Sequence, residues 1–438
     1  METMKMYKSY EDLPKIKLPH NEPIFISDST IRDGSQMPGV VMSTRLKFKI
    51  YEYLHEIGIE KLETFVYHER DKKATKMMLD CGYEFPEVTG WARAVPADID
   101  EVLSVGGINE TGILMSVSDS HILDKMRLPG REAAEEKYLN ALQYAVDHGL
   151  RTRAHIEDMT RADNYNFVFP LIKKIIEIDP DCTIRLCDTV GYGVPFAGVD
   201  EPYGIPAMVQ YLKNDLNVKN IEMHTHDDFG LAVANTLAGY WHGANWSSVT
   251  FLGIGERAGN AEMEKLLLFL SQRVEGFEKY NLESIVQFSR FMEKEIGVKI
   301  PRNKAVVGKN IFAHESGIHA SGVLKNPFTY EPYPPEVVGG ERIFLMGDSS
   351  GIEVLRHKVQ DALNDLMDIN IELKKTDPRL KMIQAEIQKL YDTEKRISCI
   401  SDEEIRAYVE KYFVFKPIVR QETHHGKIFR DCDEDADD

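Results

Sequence analysis

The stretch Ile221-Glu222-Met223-His224-Thr225-His226-Asp227-Asp228 follows a polar turn at Lys219-Asn220 and precedes a helix-like run from Leu231. Read as a strand, it sends side chains two apart to one face, so His224 and His226 project together. Two neighbouring imidazoles can chelate a divalent first-row metal. His-x-His alone is equally compatible with two structural histidines. A third candidate ligand, Asp33, stands at a similar strand end near the start of the chain.

Outward from that strand, apolar strand-like runs alternate with amphipathic helical ones from about Ile24. The expected strands are 24–30, 59–66, 87–93, 112–118, 151–158, 183–190, 220–227 and 248–255. Helical patterns are expected at 44–57, 71–80, 96–105, 132–148, 163–178, 206–214, 231–243 and 261–274. Strict alternation implies parallel strands with helical crossovers, and eight such units close an α/β (β/α)₈, or TIM, barrel. The alternative, an open doubly wound sheet, calls for a Gly-rich turn after the first strand; Ser29-Thr30-Ile31-Arg32-Asp33-Gly34-Ser35-Gln36 is not one.

After Gly276 the alternation stops. A helical stretch at 282–293 leads to a Gly- and His-rich loop, 308–322, then a Pro- and Tyr-rich turn, 326–335. Helical patterns return at 352–369, 378–394 and 402–412. The expected layout is an N-terminal extension (1–23), a catalytic barrel (24–276), a mostly helical C-terminal region acting as a lid (277–420), and an acidic disordered tail (421–438).

The 438 residues include 43% hydrophobic ones, enough for a large core. A formal charge of −18 argues against nucleic acid or an anionic membrane as the main partner. An anionic substrate then needs a local cationic pocket. Cys81, Cys182, Cys187, Cys399 and Cys432 are odd in number and scattered, which reads as reduced thiols in a cytoplasm. The N-terminus lacks an apolar signal core, and no apolar run reaches membrane-spanning length.

Barrel enzymes work at the C-terminal ends of their strands. Asp33 follows strand one, Glu157 ends strand five, and His224 and His226 end strand seven. Asp33, His224 and His226 would form an O,N,N facial set suited to Mn, Co, Zn or Mg, with positions open for a bidentate substrate. Asp33 reads equally as a turn-former before Gly34. Arg32 can steady an oxyanion or a carboxylate, or fill a rim salt bridge. Arg153, His155 and Glu157 share one parity, which describes a polar site or a buried charge network. Arg93, closing strand three, is a further candidate substrate contact. The Gly-rich run Gly253-Ile254-Gly255-Glu256-Arg257-Ala258-Gly259-Asn260 can offer backbone amides to an anion, or simply make tight turns.

Several of these stretches resemble one family: the Claisen-condensing acyl-CoA/2-oxo acid synthases that include 2-isopropylmalate, homocitrate, citramalate and Re-citrate synthases. Ser27 through Gln36 resembles their opening Arg-Asp motif. Asp188-Thr189-Val190-Gly191-Tyr192 resembles their strand-six signature, and His224 through Gly230 their metal motif. Gly253 through Asn260 resembles the strand-eight loop, and His314-Glu315-Ser316-Gly317-Ile318-His319 the C-terminal loop. The matches run in family order from about residue 24 to 357. The resemblance implies that Asp33, His224 and His226 hold a divalent metal that chelates the 2-oxo acid. It implies that Arg32 helps polarise the ketone. A base then deprotonates the methyl group of acetyl-CoA, the enolate attacks, and water releases CoA. The acid/base roles fall on Glu157, His319 and Tyr330, and a substrate-carboxylate contact on Thr189. A homodimer with shared sites is also implied.

Departures narrow the expectation. His155-Ile156 replaces Ser-Ala, and Thr64-Phe65 replaces Ala-Gly after Glu63. Leu252 replaces an Asn, so a metal contact from that position is expected to be lost. These changes look most like the Re-citrate synthase branch. Arg153 and His155 beside Glu157 would suit a second carboxylate, whose burial needs paired donors. The expected substrate is therefore a 2-oxo dicarboxylate, oxaloacetate before 2-oxoglutarate; the two differ by one methylene, a handle of about 1–3 kcal/mol. Isopropylmalate or citramalate synthesis comes next, then a lyase on the same barrel. Amidohydrolases also use His-x-His, but on strand one.

Overall fold

The computed structural model describes residues 7–367 and 372–413. The expected acidic tail, 421–438, lies outside the described residues. Eight parallel strands close a barrel in chain order: β1 (Phe25–Asp28), β2 (Lys61–Thr64), β3 (Glu87–Arg93), β4 (Glu110–Ser116), β5 (Arg151–Glu157), β6 (Thr183–Asp188), β7 (Asn220–Thr225) and β8 (Trp246–Val249). β1 closes on β8 with Ser27 opposite Ser248. Helices fill each crossover, so the expected (β/α)₈ class is what the chain adopts.

Local chemistry explains the alternation. The helix Thr44–Ile57 starts where the Ser43 hydroxyl accepts from the Leu46 N–H. It buries Leu46, Ile50, Leu54 and Ile57 at helical spacing. It stops at Gly58, whose φ of 93° suits a residue without Cβ. The buried helix faces and the outer strand faces form one continuous apolar core.

Strand eight is shorter than its apolar run suggests. It ends at Val249, and Phe251–Gly253 forms a 3₁₀ turn with Leu252 at φ 61°. The chain then folds back over β7. Asp227 N–H donates to Gly259 O (2.9 Å) and Ala261 N–H to Thr225 O (3.0 Å). Gly259 is needed here because a Cβ would collide with the Gly253 carbonyl.

The described residues divide into two compact units, 7–312 with 331–342, and 313–330 with 343–367 and 372–413. The alternation stops at Gly276 but the barrel unit does not. The helix Ile285–Ile296 stays with it because Phe288 stacks on Tyr53 (4.4 Å) and Phe251 (3.8 Å). In the second unit Ala313–His314 pairs with Ile343–Phe344, and helices Gly317–Lys325, Ile352–Met367, Pro378–Asp392 and Asp402–Tyr412 supply a separate apolar core.

Candidate active site

Register places the inward residues in layers. Ser116, Glu157, Cys187, His224 and Ser248 stand level across β4 to β8. One step lower lie Leu114, His155, Arg185 and Glu222. The upper layer opens into a cavity of about 480 Å³ lined by Arg32, Asp33, Trp91, Lys125, His155, Glu157, Thr189, His224, His226 and Arg257, among others.

At one side Asp33, His224 and His226 converge. The Asp33 carboxylate lies 3.4 Å from His224 Nε2 and 3.9 Å from His226 Nε2. All three are buried, and one donor atom from each falls within 4.8 Å of the others. His224 Nδ1 is 3.2 Å from Ser248 Oγ, which orients its ring. Burial drives the imidazoles towards the neutral form, the form a metal needs. Burial also pushes the Asp33 carboxyl up, but the Arg32 guanidinium at 3.2 Å prevails and holds it at about 2. Asp33 Oδ2, His226 Nδ1 and Asn260 Oδ1 are buried without a hydrogen-bond partner. One carboxylate and two neutral imidazoles with donor atoms this close together fit a divalent cation.

Asn260 is the residue the sequence reading passed over. The fold-back of the 250–262 segment pairs it with His226 and brings its amide against Asp33, where it favours the ionised carboxylate. Leu252 itself lies on the turn beyond β8, and the amide beside Asp33 comes from eight positions later. Its signal was present in Gly253–Asn260, but only the reversal of the chain beyond Val249 reveals it.

At the other side stands Glu157. It receives Ser116 Oγ, Lys125 Nζ at 2.6 and 2.7 Å, and His121 Nδ1 at 3.3 Å. Burial opposes ionisation, yet His121 and Lys125 outweigh it and hold the carboxyl at about 2. Lys125 and His121 sit on the π-helical turn His121–Lys125 after β4, which no sequence pattern marked. Thr189 accepts from the Asp158 N–H (2.9 Å) and lines the cavity with its hydroxyl hydrogen weakly engaged, 3.5 Å from Cys187 O. His155 reaches the cavity because Gly112 has no Cβ, which would overlap the imidazole. Burial and Arg185 push its pKa down to about 4, so it meets the cavity as a neutral imidazole.

Two expected substrate contacts are not at the cavity. Arg153 is 1% exposed and faces Glu110 (2.7 Å), Glu222 (3.3 Å) and Glu63 (3.6 Å) inside the barrel. It sits one strand step, roughly 6.6 Å, below His155. Its charge is spent in the network that the sequence left as the alternative. Arg93 is clamped by both oxygens of Asp98 (2.7 and 2.8 Å) and borders a neighbouring aromatic hollow of about 510 Å³ with Phe65, Tyr67 and Trp91. His319 and Tyr330 belong to the second unit, where their rings pack 4.1 Å apart beside a hollow of about 680 Å³.

Residues 23–292 match the HMGL-like family, and residues 306–395 the homocitrate synthase post-HMGL domain-like family. A citrate (Re)-synthase of Clostridium kluyveri is 34% identical over 92% of both chains. A 2-isopropylmalate synthase of Saccharolobus solfataricus is 35% identical over 86% of this chain and 94% of its own. Among solved structures, the HMG-CoA lyase of Bacillus subtilis superposes on 65% of this chain and 97% of its own with a TM-score of 0.53 at 21% identity, a likeness of fold. A barrel match over more than half the chain, continued by the second domain, carries one conclusion: this chain belongs to the 2-isopropylmalate/homocitrate synthase family of enzymes, and citrate (Re)-synthases are among its relatives.

Proposed function

We propose that the protein condenses acetyl-CoA with a 2-oxo dicarboxylate, oxaloacetate, to give citrate and CoA. The observation that carries the reading is the convergence of Asp33, His224 and His226 at one side of a cavity in a chain similar to a citrate (Re)-synthase along 92% of its length. Asp33, His224, His226 and Asn260 would hold a divalent ion (Mn, Co, Zn or Mg), which supplies a Lewis acid to the oxo acid when bound. Arg32, fixed by Glu63 at 2.7 Å, presents its guanidinium to the forming alkoxide. Thr189 offers its hydroxyl to a carboxylate. Glu157 starts ionised and is the barrel's candidate proton acceptor.

His319 and Tyr330 complete the acid/base set in this proposal, supplied by a second copy in a homodimer. Among the described residues no helix is long and apolar enough to cross a membrane, and Cys81, Cys182, Cys187 and Cys399 are free thiols, which supports a cytoplasmic setting. A second reading, condensation with 2-oxoglutarate, draws on the match of residues 306–395 to the homocitrate synthase post-HMGL domain.

The test is thiol release from acetyl-CoA with oxaloacetate, 2-oxoglutarate, 2-oxoisovalerate and pyruvate offered separately, with and without chelator. Chelator-sensitive turnover fastest with oxaloacetate is expected. Turnover of 2-oxoisovalerate alone would reject the dicarboxylate reading.

A further inference from the structure

We propose that Lys125 selects the substrate by receiving the distal carboxylate of the oxo acid, with Glu157 as its resting partner. The proposal rests on the reading that the substrate is a 2-oxo dicarboxylate.

A dianion entering a chain of net charge −18 needs a cation that is free to meet it. Three lysine or arginine side chains line the cavity: Arg32, Lys125 and Arg257. Arg32 is divided between Glu63 (2.7 Å) and Asp33 (3.2 Å), at the metal side. Arg257 is clamped by both oxygens of Asp228 (3.0 Å each) and donates to Thr189 O (2.5 Å). Lys125 has one carboxylate partner, Glu157, which takes two N–H groups. An ammonium has a third. Arg153 is sealed below, and His155 is neutral, so neither can serve.

Glu157 does not depend on Lys125 to stay in place. Ser116 and His121 donate to it as well. The lysine side chain is 44% exposed on a flexible stem, so it can turn from one carboxylate to another. Its partner also stands in the layer of the metal-side histidine. Glu157, Cys187 and His224 stand opposite one another on successive strands. The partner of Lys125 is thus two strand spacings, roughly 10 Å of backbone, from a metal-side histidine. An oxo acid chelated at the metal side and lying along that layer carries its second carboxylate towards the ammonium. A 2-oxo monocarboxylate brings only methyl groups there.

The test compares Lys125→Met and Lys125→Arg with the wild type, full chain and metal-loaded. Steady-state kinetics use oxaloacetate and pyruvate; calorimetric titration of each oxo acid without thioester gives Kd. In Lys125→Met, KM and Kd for oxaloacetate should rise at least about 10-fold, as for loss of a charged hydrogen bond, while those for pyruvate stay within about 3-fold. Lys125→Arg should recover most of the oxaloacetate affinity. Equal losses on both acids, or a lower kcat with Kd unchanged, would overturn the proposal and leave Lys125 as a support for Glu157. A wild type that binds and turns over only monocarboxylates would defeat the functional reading and this proposal together. A wild type that uses oxaloacetate with an affinity indifferent to Lys125→Met would defeat this proposal alone.

Discussion

The rim of the barrel and its interior just below are built from the same side chains and end in opposite states. In the interior, Lys61, Arg153 and Arg185 face Glu63, Glu110 and Glu222, three cations against three carboxylates. There Arg153 Nη2 lacks a well-formed hydrogen bond yet faces Glu110 Oε1 at 2.7 Å. At the rim, Asp33 Oδ2, His226 Nδ1 and Asn260 Oδ1 are buried without a hydrogen-bond partner, and donor atoms of Asp33, His224 and His226 lie within 4.8 Å of one another. Charged residue types do not locate a site; a cluster of potential ligands at a cavity does.

The contrast can be broken by substitution. Arg153→Met should lower unfolding free energy by about 3–5 kcal/mol, since it strands buried carboxylates, and urea melts measure it. If stability is unchanged, the interior is not the closed network described. His226→Ala should do the reverse: turnover falls more than about 100-fold, beyond the loss typical of groups one shell further out, while the melt barely moves. A large stability loss there would place His226 with the structural charges.

Acid titration sharpens the boundary. Glu157 is held at about 2 against an ordinary 4.5, so its ionised form stabilises the fold above pH 4.5. That contribution, at most about 3 kcal/mol, is lost as pH falls from 4.5 towards 2. Stability measured from pH 6 to 2 should drop less steeply in Glu157→Gln than in the wild type. Parallel curves would mean the rim carboxylate is not held by Lys125 and His121. Smallest is Asn260→Ala: about 10–100-fold weaker metal binding, read by titration calorimetry, with little change in the melt. An unchanged affinity would remove Asn260 from the ligand set.

The contrast also explains which parts could be read from sequence. Alternation of runs sufficed for the barrel, and β3 fell on 87–93 as expected. Side-chain parity sufficed to put His224 and His226 on one face. Parity says which way a residue points but not how deep it lies. Arg153 and His155 share a face, yet one strand step separates a sealed charge from the cavity wall. Arg93 met Asp98 five residues on, a local pair that no strand pattern reveals. Asn260 and Lys125 lie in segments whose path depends on a chain reversal and on a π-helical turn, neither of which has a periodic signature.

The pairing of His226 with Asn260 reaches beyond geometry. The backbone that joins the ends of β7 and β8 is the same backbone that carries half of the proposed ligand set. These donors are assembled as the barrel closes, leaving little to order when an ion arrives. Ion capture is then expected to be paced by the shedding of hydration water rather than by rearrangement of the chain, faster for readily dehydrated cations than for magnesium.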